Sequence, residues 1–74
     1  MDETPAEKAA RHIKLLEQSR QNFIDTRALW GKRKAEHDPG ADRMLALLER
    51  DLEMNAELLA LAKERLAQLL AEPD

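Results

Sequence analysis

The sequence predicts an all-α protein: an antiparallel two-helix hairpin, coiled-coil-like, that pairs into a homodimeric four-helix bundle. Three observations carry this. Seam residues recur at alternating steps of three and four along two long stretches, a single Asp-Pro-Gly breaker separates the stretches, and β-forming residues are scarce. The first series is Ala6, Ala9, Ile13, Leu16, Arg20, Phe23, Arg27 and Trp30; the second is Leu45, Leu48, Leu52, Asn55, Leu59, Ala62, Leu66 and Leu69. Such steps mark one face of an α-helix. Folded back at His37-Asp38, the series meet at a constant sum of residue numbers: 30 with 45, 23 with 52, 16 with 59 and 6 with 69. That is a heptad seam closed on itself. Valine and tyrosine are absent, and Thr4, Ile13, Ile24 and Thr26 are the only β-branched residues, so no strand is expected.

The first helix spans about residues 5–36. Thr4-Pro5-Ala6-Glu7 supplies a Thr N-cap, a Pro at the first helical position and a Glu at the third, the pattern of a capping box. Its interior holds no proline and one glycine, Gly31. The turn falls at about 37–39, because the residue before Pro39 is pushed out of the helical region. Asp38 then caps a second helix beginning near Pro39, with Asp42 as an alternative cap. This helix runs over about 40–72 through a Leu/Ala/Glu-rich stretch, and Pro73 ends it. The whole chain, 1–74, reads as a single helical-hairpin domain.

Size and composition narrow the function. Two helices in 74 residues cannot enclose a core between them; chains this short usually draw stability from disulfides, a metal or association. With no cysteine there is neither a disulfide nor a thiolate zinc site, which leaves association. The longest apolar run is a few residues, far short of the ~20 that span a bilayer. The opening Met-Asp-Glu-Thr-Pro is not a signal-peptide start. A cytoplasmic protein with no membrane association is expected.

Charge divides by helix. Residues 5–36 hold eight basic side chains against four acidic ones, and residues 39–72 hold four against seven. Opposite helix charges favour side-by-side packing. The net charge of −3 disfavours nucleic acid as a partner. The basic first helix, with Arg11, Lys14 and the Lys32-Arg33-Lys34 cluster, still makes a nucleic-acid-associated regulator the alternative reading. The cluster is accounted for by its place at a helix C-terminus, where cations oppose the macrodipole.

The apolar arcs differ in width. The first helix adds only Ala10, Ile24 and Ala28 to its seam. The second adds Met44, Leu47, Met54, Leu58, Leu61 and Leu70, widening its arc to about half the circumference. One neighbouring helix cannot cover that, so Met44, Leu47, Met54, Leu58 and Leu61 form the expected interaction surface, for a second copy or for a larger protein. Polar residues interrupt the seam at Arg20, Arg27 and Asn55. Buried arginines need acceptors, and the register offers Asp51. The expectation is a polar seam cluster of Arg20, Arg27, Asp51 and Asn55 that pins register and oligomeric state.

No catalytic constellation is visible. His12 and His37 lack acidic or histidine neighbours at the helical spacing of a metal pair, and Ser19 has no base three or four residues away. Glu49, Glu53 and Glu57 form a polar helix face. No catalytic, cofactor or metal residues are assigned, and no cofactor or small-molecule substrate is expected. The chain reads as a non-catalytic protein–protein interaction module of adaptor, inhibitor or co-chaperone type, self-associating and binding a larger protein.

Overall fold

The computed structural model describes residues 2–72 and is an antiparallel hairpin of two helices, α1 (Pro5–Ala35) and α2 (Ala41–Ala71). Each has 31 residues, hence ~46 Å of helix at 1.5 Å per residue. Thr4 caps α1: its Oγ1 accepts the Glu7 N–H at 3.1 Å and its hydroxyl donates to Glu7 Oε1, also at 3.1 Å. The Glu7 carboxylate thus grips the capping hydroxyl, where a full capping box would have it take the N-cap amide.

The turn is built differently from the expected Asp38 cap. The His37 N–H donates to the Lys34 carbonyl and the Asp38 N–H to the Arg33 carbonyl, both at 3.0 Å. That pair of bonds is a Schellman motif, which requires a left-handed residue at His37; its φ is 64°. Pro39 then blocks continuation, and α2 begins at Ala41 with Gly40 as N-cap. The Asp38 carboxylate accepts the Gly40 N–H at 2.9 Å, two residues ahead, closing an Asx turn that precedes the helix. Salt bridges Arg33–Asp38 and Lys34–Asp42 (3.9 and 2.9 Å) cross the same turn. Pro73, assigned as the residue ending the second helix, lies outside the described residues.

The seam is where the register argument put it. Of the second series, Leu48, Leu52, Asn55, Leu59 and Ala62 are buried and Leu45, Leu66 and Leu69 half-buried. Ile13 packs with Leu59 and Ala62, flanked by Leu16 and Leu66. On α1 every seam residue is buried or half-buried except Arg27, which is exposed.

One dimension decides what this seam can do. The hairpin measures 58 × 23 × 12 Å, a plate about one helix thick. Its radius of gyration is 16.9 Å, against ~11 Å for a compact chain of this length. Domains bury their apolar faces between two layers; this one has a single layer. No helix among the described residues is long and apolar enough to cross a membrane.

Two backbone positions are suboptimal, and both are testable. His37 occupies a left-handed site that glycine fills without steric cost. Gly31 lies inside α1 with nothing within 4 Å of where a Cβ would stand. His37→Gly and Gly31→Ala are each expected to raise unfolding stability by ~0.5–1 kcal/mol in urea melts. Loss of stability in His37→Gly would show that the Schellman geometry is wrong.

Candidate interaction surface

The two long edges of the plate differ in chemistry, and heptad geometry explains why. Seam residues at alternate steps lean to opposite sides. Leu16, Phe23 and Asn55 lean to one edge, and with Ser19, Asp51, Met54 and Leu58 they line a shallow groove of about 240 Å³. Arg20, Arg27 and Leu52 lean to the other, lining a groove of about 250 Å³ with Glu49, Glu53 and Ala56. Both volumes fall below the ~300 Å³ at which small-molecule sites begin.

The first edge is the apolar one. Helical steps of four and three carry its groove outward along α1 as Leu15, Ser19, Asn22, Thr26 and Leu29, and along α2 as Leu61, Leu58, Met54, Asp51 and Leu47. The helices run in opposite directions, so these stripes match level by level, Leu15 beside Leu61 at one end and Leu29 beside Leu47 at the other. Leu15, Leu29, Leu47, Met54, Leu58 and Leu61 are all large exposed hydrophobics; the one further such residue, Leu70, lies off this face. Leu61 is 62% exposed and Leu15 55%. Of the residues assigned to the surface from sequence, Leu47, Met54, Leu58 and Leu61 are exposed and Met44 is half-buried. Leu15 and Leu29 were missed. Each is isolated on the polar side of its own helix, and only the hairpin register brings it level with Leu61 or Leu47.

Excess area makes the same point. The chain exposes 6053 Å², whereas a compact monomer of 8.5 kDa would expose ~4,700 Å². The surplus, roughly 1,400 Å², exceeds the ~800 Å² per partner of a standard protein interface.

The polar seam cluster does not form as expected. Asn55 is 4% exposed and its Nδ2 donates to the Leu16 carbonyl at 3.0 Å. Arg20, half-buried, reaches across one layer further on, its Nη1 donating to the Leu52 carbonyl at 3.3 Å. These two bonds join the helices side chain to backbone. Asp51 takes no part: it is exposed and lies on the apolar edge, opposite to the arginines. The acids sharing the arginine groove are Glu49 and Glu53. Among the described residues no ion pair within 4 Å involves Arg20, Arg27 or Asp51. The reason is length. An arginine on the seam of a one-layer plate can run its stem along the seam and leave its head in water, so no buried counter-charge is needed.

The tip is also locally satisfied. Arg33 stacks over Trp30 with its guanidinium carbon 4.9 Å from the ring centroid, and Arg33 and Lys34 face Asp38 and Asp42. Among the described residues, no three His, Cys, Asp or Glu side chains converge as metal ligands. No protein-family model, curated protein or solved structure matches the chain.

The geometry separates structural from peripheral polar residues. Asp51→Ala and Arg27→Ala should each leave stability within about 0.5 kcal/mol of the unsubstituted chain, as surface changes do. Asn55 is different, because its Oδ1 is buried without a hydrogen-bond partner, a cost of ~1–3 kcal/mol against a single made bond worth ~1. Asn55→Leu should therefore raise the urea midpoint, by ~1 kcal/mol in stability, while loosening the choice of register. A large destabilisation in Asp51→Ala would restore the buried cluster.

Proposed function

We propose that this chain is a small, non-catalytic protein–protein interaction module, a regulator of adaptor, inhibitor or co-chaperone type that works as a self-associating helical hairpin. The observation that carries this is the apolar face. Six large hydrophobic side chains stand exposed together on one side of a plate one helix thick. Monomers in water rarely leave so many large apolar side chains open on one face. Covering the exposed half of a Leu or Met is worth ~1 kcal/mol, so the face as a whole favours association by several such increments.

Met44, Leu47, Met54, Leu58 and Leu61 are the proposed surface, extended by Leu15 and Leu29. Pairing through it supplies the second layer that the hairpin lacks and makes a homodimeric four-helix bundle. The bundle is the form proposed to engage a larger protein. Methionine at the centre of the face suits adaptable contacts. Ser19 shares its groove with no histidine or lysine, and the carboxylates of the other groove lie beside arginines. A cysteine-free chain requires no oxidising compartment, and the cytoplasm is the proposed location.

Sedimentation equilibrium at micromolar concentration tests the reading. The expected mass is about twice the 8.5 kDa of the chain. Leu58→Glu should return it to one chain mass and lower helicity by circular dichroism, because it places a charge at the middle of the covered face. A stable, fully helical monomer for the unsubstituted chain would defeat the proposal.

A further inference from the structure

We infer that the apolar face is covered by a second copy of the chain lying parallel to the first. Both turns then sit at the same end, and α1 of each copy packs on α2 of the other. The inference rests on the self-association proposed above and specifies its geometry.

Face-to-face packing of two plates by a two-fold axis has two solutions. The axis can run along the hairpin, keeping the turns together, or across it, putting them at opposite ends. Apolar matching does not choose between them. With turns together, Leu15 stands against Leu61 of the second copy and Leu29 against its Leu47. With turns apart, Leu15 meets Leu29 and Leu47 meets Leu61. Either arrangement closes the exposed leucines, and the roughly 1,400 Å² of surplus surface suffices for either.

Charge does choose. Between Pro5 and Ala35, α1 carries eight basic and three acidic residues; between Ala41 and Ala71, α2 carries four basic and six acidic. Turns together stacks the positive helix on the negative one at both contacts. Turns apart stacks the net-positive helix on itself and the net-negative helix on itself, which is the less favourable choice for the helices as wholes. The outer rim does not separate the two arrangements: the parallel one sets Arg11 level with Glu64 of the second copy and Asp25 with its Arg50. Its one like-charged level, Lys32 against Arg43, lies at the tip beside Asp38 and Asp42. The antiparallel rim would pair Arg50 with Glu57 and Arg43 with Glu64 on α2 and set Arg11 against Lys32 on α1, so the preference rests on the net charge of the helices.

The chain has no cysteine, so a single nitroxide label can be placed at Glu36→Cys near the turn, or at Ala71→Cys at the far end. Both sites are exposed, and circular dichroism with sedimentation confirms that each labelled chain is helical and paired. Pulsed electron resonance should then give distances of ~20–30 Å between copies at both sites, from helix spacings near 10 Å plus the label arms. A dimer with both distances at ~45 Å or more, the length of a helix, would overturn the parallel arrangement and leave self-association standing. A monomeric mass for the unlabelled chain at high micromolar concentration would overturn both, and point to a helix of another protein as the occupant. Raising salt should weaken a parallel dimer, because its choice of partner helix is electrostatic; a dimer strengthened by salt would count against it.

Discussion

Everything in this molecule follows from the fact that two helices in contact bury a line and not a volume. Each of the two has an apolar stripe, and where the stripes meet, Ile13, Leu48, Leu52, Leu59 and Ala62 are removed from water. The contact has two sides, however, and a plate 12 Å thick has nothing to set against either. The chain resolves this asymmetrically. One side is charged, with Arg20, Arg27, Glu49 and Glu53, and is stable against water as it stands. The other is apolar, with Phe23, Met54 and Leu58 at its middle, and is not. The asymmetry leaves the hairpin with one charged side and one apolar side.

Within the plate, the bonds that fix register come from side chains reaching the opposite backbone. Asn55 to the Leu16 carbonyl and Arg20 to the Leu52 carbonyl both cross the seam near the middle of the hairpin. A shift of one heptad would keep most leucines in contact but break both bonds and bury Asn55 among apolar side chains. Leucine at these positions would pack more tightly and discriminate less, since apolar seams tolerate slippage that a polar layer penalises. The unpartnered Asn55 Oδ1 marks what that discrimination costs. At the other level of control, His37 in a left-handed conformation and Pro39 after it forbid a continuous helix. The turn decides that the chain doubles back, and the polar layer decides by how much.

Much of this was legible in the sequence because it depends on period. The constant-sum pairing of the two series needs only helical steps and one breaker, and it names every buried residue of α2 except Ala41, at the helix's first position beside the turn. The parts that were not legible depend on where a side chain leans once the helices are wound together. Asp51 lies between Arg20 and Arg27 by layer, but it stands on the opposite edge, a distinction that a list of levels cannot make. Leu15 and Leu29 fail to stand out for the converse reason. On α1 alone they are single apolar residues among polar ones, and they acquire meaning only when α2 sets Leu61 and Leu47 beside them. Capping was similarly half visible: Thr4 caps as its motif suggests, while Asp38 serves the turn and leaves the cap position to Gly40.

The difference between the two edges also sets where an assembly of such hairpins would stop. If the apolar face takes a second copy, each partner turns its charged edge outward, and that edge has no exposed leucine or methionine in its groove. Adding a third plate would mean desolvating Arg20, Arg27, Glu49 and Glu53 with little apolar area beyond Leu70 to offset the penalty. Arg27, exposed on a seam position where leucine would pack better, is understandable in those terms. A leucine there would extend the apolar surface to the second edge and make the plate sticky on both faces, and two sticky faces on one plate build stacks without a natural end. An arginine keeps its stem against the seam and its charge in water, so the hairpin is one-sided because both of its seam arginines lean the same way.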